Sequence, residues 1–110
     1  MEKKYTLIDN AAEWPACIKR LQEATRIAVD LEANSLYSYR ERICLIQVAT
    51  DTEIFSIDPL SNAFDIAPLQ ELFENGGLEK VFHAADYDLM LLKSRYGWDV
   101  NNLFDTMAAA

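Results

Sequence analysis

The residues of this 110-residue chain best suited to chemistry are two carboxylates in the run Val29-Asp30-Leu31-Glu32. Side chains two positions apart on a strand leave the same face. These two close an apolar run, residues 26–31 (RIAVDL), at a strand end, where α/β sheets place their sites. Anions held side by side raise each other's pKa unless a cation sits between them. Hard oxygen donors of this kind select Mg2+ or Mn2+. A plainer reading is also open: a lone acid-x-acid pair is common, with Asp30 ending the strand and Glu32 solvated in a loop.

A second acidic pair stands in His83-Ala84-Ala85-Asp86-Tyr87-Asp88, directly after a short strand at residues 80–83 (KVFH). Acids in the first turn of a helix cap it and compensate its dipole. One such residue suffices for that, and Asp88 is expected to face the sheet edge that carries Asp30. His83 by itself reads first as a core or hydrogen-bonded histidine. Cys17 and Cys44 stand far apart and form no CxxC pair. They read as reduced thiols of a cytosolic core, and with a single His they supply too few soft ligands for zinc.

These groups need a frame, and the hydrophobic pattern supplies one. Residues 5–8 read as a short strand. Asp9 or Asn10 caps a helix over residues 11–24, whose regular part Pro15 delays; Trp14, Cys17, Ile18 and Leu21 form its buried stripe. Residues 26–31, 43–50 and 53–57 are strands, the last two joined by a hairpin at Asp51-Thr52. Asn62 or Asp65 caps a helix near residues 66–74 that tolerates Pro68 in its first turn. Asn75-Gly76-Gly77 ends that helix. Residues 86–96 form a helix with Leu89, Leu92 and Tyr96 on one face, stopped at Gly97. Leu103-Phe104 is a further strand, and Asp105 or Thr106 caps a following turn. Helix crossovers favour parallel pairing and the hairpin antiparallel pairing, so a mixed α/β sheet of about five strands is expected.

The size fits one domain with a small core. No stretch approaches the roughly 20 apolar residues of a membrane span. The start Met1-Glu2-Lys3-Lys4 precedes alternating residues rather than an apolar run, so no signal peptide is expected and a cytoplasmic location is. A net charge of −8 argues against a basic nucleic-acid coat protein. It excludes no enzyme that meets nucleic acid through cations, because those invert the local charge balance.

Taken in order, these pieces resemble the DEDD exonucleases, and within them the ribonuclease D group. The first motif of that family is matched by Asp30-Leu31-Glu32, followed by the polar residues 33–42 and Cys44-Leu45-Ile46-Gln47-Val48. Ile57-Asp58-Pro59-Leu60 comes next. The second motif opens on His83-Ala84 and places its Asp five residues after the His, at Asp88. Leu103-Phe104-Asp105-Thr106 matches a further element. The resemblance implies a ribonuclease H-like fold and a metal-dependent 3′→5′ exonuclease acting on RNA or DNA 3′ ends, with RNA processing as its setting. It implies two divalent ions, Mg2+ or Mn2+: Asp30 bridging both, Glu32 on the ion that activates water, Asp88 on the second. Leu36 and His83 are the candidate nucleic-acid contacts, Leu36 by packing on the terminal nucleotide. Arg40 and Arg42 are placed to meet phosphate or simply to be solvated.

The family's third motif, a Tyr or His shortly before a final metal-binding Asp, has no match after Thr106. A single truncated domain over residues 1–110 is therefore expected, lacking its C-terminal helices. The sheet face so uncovered is expected to promote self-association. The competing expectation is a degenerate nuclease-like module that binds nucleic acid or protein without catalysis.

Overall fold

The computed structural model describes residues 3–34 and 42–109. The chain runs β1 (Lys4–Ile8), α1 (Trp14–Glu23), β2 (Arg26–Asn34), β3 (Arg42–Ala49), β4 (Glu53–Ile57), α2 (Ala67–Glu74), β5 (Glu79–Phe82), α3 (Ala85–Tyr96), β6 (Leu103–Asp105) and α4 (Thr106–Ala109). One mixed sheet takes the order β1-β4-β3-β2-β5-β6. Its centre, β2-β3-β4, is an antiparallel meander, and β1, β5 and β6 add in parallel. The mixed α/β layout is the expected one, and β1 brings the sheet to six strands.

Local chemistry explains the helix boundaries. The Asn10 side-chain oxygen accepts the amides of Ala12 (3.0 Å) and Glu13 (3.2 Å), and the helix begins at Trp14 with Pro15 in its first turn. Proline is harmless there because the first amides have no intrahelical acceptor. Asp65 accepts the Ala67 amide at 2.9 Å ahead of α2. Its backbone carbonyl takes the indole N–H of Trp14 (2.9 Å), which fastens α1 to the approach of α2. Gly97, at φ 75°, ends α3 with a left-handed cap whose amide reaches the Lys93 carbonyl. The end of α2 uses no such glycine. Asn75 is extended there, and its side chain accepts the Gly77 amide at 2.9 Å.

Register sorts the strand residues onto two faces. On one, Ile27, Val29, Leu31, Ile46, Val48, Phe55 and Ile57 join buried residues of α1, α2 and α3 in a single core. On the other, a row crosses all six strands through Tyr5, Ile54, Ala49, Ala28, Val81 and Phe104. Tyr5 is 59% exposed and Phe104 45%. Beside it a shorter row runs Leu7, Ser56, Gln47, Asp30. Among the described residues this second face therefore carries apolar side chains open to solvent.

The core also takes in an ionisable lysine. Lys80, on the buried face of β5, is fully buried, and its ammonium donates to the Asn75 and Asn101 carbonyls, the latter at 2.8 Å. Burial pushes its pKa below the usual lysine range. With carbonyls as acceptors it ties the end of α2 and the approach to β6 onto β5.

Candidate active site

Asp30 and Glu32 lie on the solvent-facing side of β2, alternating with buried Val29 and Leu31. Asp30 pairs across the sheet with Gln47 and Glu32 with Leu45. The register slips only after Glu32, so both carboxylates keep the same face. On its other side β2 pairs with β5 no further than Ala28. The first turn of α3 comes in beside that free edge, and the Asp88 carboxylate accepts the backbone N–H of Leu31.

Asp88 therefore lies beside the stretch of β2 that carries Asp30. The strand does not end at Leu31 as its apolar run suggests but continues to Asn34, because β3 goes on pairing with it. Burial pushes its carboxyl above the ordinary value, the negative charge of Asp30 pushes it further, and the Leu31 hydrogen bond opposes both. This is the electrostatic state of a carboxylate pair that a cation would relieve. The oxygen donors fit a hard divalent ion. Glu32 is exposed on the same face, but among the described residues no three carboxylate, His or Cys side chains converge into one ligand group. Leu36 and Arg40 lie outside the described residues; Arg42 is exposed at the start of β3.

The raised pKa of Asp88 has a sign that can be checked. The native chain binds that proton more tightly than the unfolded chain. The stability it contributes is thus fully present below the ordinary carboxylate value of 3.8 and is lost as pH rises through the raised one. Metal-free Asp88→Asn should keep the Leu31 contact and escape this loss. Thermal melts of both chains from about pH 3 to 7 are expected to diverge across that window in favour of the variant; parallel curves would disprove the shift.

The turn that delivers Asp88 is held from a distance. Ala84 is left-handed (φ 57°, ψ 62°), a conformation that costs a residue with a Cβ roughly 1–2 kcal/mol. The cap of α3 is not Asp86 or Asp88 but Asp105 at the end of β6. Its two carboxylate oxygens accept the amides of Ala84 and Ala85, each at 2.9 Å. The Thr106 hydroxyl donates to the Phe82 carbonyl (3.3 Å) and lies 2.8 Å from Nδ1 of exposed His83. Asp105 also accepts the Met107 amide at 3.0 Å, the local cap foreseen in the sequence. Its long-range role was missed: a lone Asp-Thr pair gives no sign of a partner some twenty residues earlier.

Comparison with known proteins agrees with this layout. Residues 5–110 match the 3′-5′ exonuclease family. The chain belongs to that family. It is 41% identical over 104 residues to the exosome complex component 10 homolog of Caenorhabditis elegans, covering 94% of this chain and 12% of the relative. It is 40% identical over 107 residues to ribonuclease D of Zymomonas mobilis, covering 96% and 27%. Among solved structures, the catalytic core of RRP6 from Trypanosoma brucei superposes with a TM-score of 0.86 at 35% identity, covering 94% of this chain and 29% of that one. Its relatives thus make it a ribonuclease D-like exonuclease domain. The chain spans about a quarter or less of the length of these curated relatives.

Proposed function

We propose that this chain carries the first two acidic motifs of a metal-dependent exonuclease that removes nucleotides from RNA 3′ ends. The observation that carries the reading is the juxtaposition of Asp30 and Asp88 along the part of β2 that β5 leaves unpaired, with burial and like charge opposing ionisation of Asp88. The relatives named ribonuclease D and exosome complex exonuclease favour RNA as substrate. Asp30 would hold both cations, Glu32 the one nearest the attacking water and Asp88 the other. Two such ions, when bound, activate that water and stabilise the leaving 3′ oxygen in in-line displacement. The chain's own part is to fix these oxygens on a rigid sheet end. His83 stands exposed two residues before α3, where its ring can meet a nucleotide, and Leu36 is proposed for the terminal base. A fourth carboxylate, implied by the family resemblance, would complete the ligand set. The face carrying Tyr5, Leu7 and Phe104 supports the further proposal that the chain self-associates.

Mn2+ titration with and without a single-stranded RNA bearing a free 3′-hydroxyl tests the catalytic reading. The expected result is saturable, EDTA-reversible metal binding and RNA retention that depends on it. RNA held equally well in EDTA, with no nucleolysis by a longer chain, would support instead a binding module without catalysis.

A further inference from the structure

We propose that Asp105 is a positioning residue for the metal site, acting through the backbone of Ala84 and Ala85 to set where Asp88 meets β2. The inference rests on the metal-binding reading above and deepens it. Asp105 sits at the end of β6, the edge strand, in register with Phe82. From there its two oxygens take the two successive amides at the β5–α3 junction, both at 2.9 Å. A carboxylate on backbone amides makes short, charge-assisted bonds that fix direction as well as distance. It also lies at the N-terminus of α3, where negative charge is favoured.

The geometry leaves the junction few other determinants. Ala84 is left-handed without being glycine, so the turn has no intrinsic preference for its observed shape. Phe82 anchors one side in the core, and Ala85 begins the helix on the other. Rotation at Ala84 swings the first turn of α3. Asp88, one turn along, would then leave both the Leu31 amide and the neighbourhood of Asp30. Thr106 reinforces the arrangement by bonding the Phe82 carbonyl and the His83 ring. The Asp-Thr pair thus grips both sides of the turn between His83 and Asp88.

Residues that orient metal ligands without touching the metal typically change affinity 10–100-fold when lost. Asp105→Asn keeps one acceptor oxygen and turns an N–H group against the second amide, so Mn2+ affinity is expected to fall about tenfold. A metal-free readout accompanies it: the Leu31 amide, followed by NMR and hydrogen exchange, is expected to shift and lose protection. A role confined to overall stability would move neither in the folded protein. Ala84→Gly added to Asp105→Asn should restore most of both, because glycine adopts the left-handed turn unaided. Unchanged Mn2+ affinity and an unchanged Leu31 amide in folded Asp105→Asn would overturn the proposal. If Asp105→Asn alone fails to fold, the double variant decides. A folded double variant with a wild-type Leu31 amide supports the clamp, and one that stays unfolded refutes it. A wild-type chain without Mn2+ affinity would defeat the metal reading by itself, and the Leu31 amide would still judge the clamp.

Discussion

Asp30→Asn is expected to weaken Mn2+ binding more than about 100-fold, beyond the range seen for residues that only orient a ligand, while leaving the fold intact. The two halves of this result have separate causes. Asp30 is exposed in the middle of β2, past the last residue paired with β5, and contributes nothing to the core, so its loss creates no cavity. Its charge is one of the two causes that raise the Asp88 carboxyl, and the variant takes it away. The metal-free variant should therefore be at least as thermostable as the parent at neutral pH. Calorimetric titration with Mn2+, paired with a circular-dichroism melt, measures both. Glu32→Gln should act in the same direction. Undiminished Mn2+ affinity in both variants would mean that the cation, if bound, sits elsewhere.

The second large effect belongs to the core beneath the site. Phe73 is fully buried on α2 and meets the ring of Trp98 edge-on, with centroids 5.9 Å apart at 80°. Its backbone carbonyl also accepts the Asn101 amide at 2.9 Å, so the residue joins α2 to the segment leading into β6. Replacing a buried Phe by Ala usually costs about 3–5 kcal/mol. Against a domain stability of roughly 5–15 kcal/mol, that is a large share. Phe73→Ala is expected to lower the urea midpoint steeply at constant slope and to flatten the near-ultraviolet signal of Trp98. A loss under about 1 kcal/mol would show that the site collapses around the smaller side chain.

Much of this architecture was legible because local rules and tertiary demands agree. The compact apolar run at residues 26–31 marked β2, and the two-residue spacing put Asp30 and Glu32 on one face. Asp51-Thr52 marked the hairpin, Asn10 and Asp65 marked helix entries, and Gly97 marked a helix end. The helix start expected after residues 80–83 turned Asp88 toward the same edge as Asp30. What escaped had its cause in long-range packing. Lys80 looks like a solvated strand residue, and only the carbonyls of Asn75 and Asn101 make its burial tolerable. Ala84 gives no sign of a left-handed turn, since alanine prefers the opposite conformation and the compensation comes from Asp105. Gly76 and Gly77 suggested a left-handed helix end, yet Asn75 closes α2 in an extended conformation without them.

The alternation along β2 has a consequence for how the site is specified. A strand has a period of two, so sliding it one residue against β3 would turn Asp30 and Glu32 inward and Val29 and Leu31 out to water. That slip is opposed by Ile27, Val29 and Leu31, each buried in the core. The slip that does occur falls between Glu32 and Ala33, past the last carboxylate. The address of the acidic pair is therefore written in its greasy neighbours. Residues outside the acidic pair decide, by parity alone, which side of the sheet carries it.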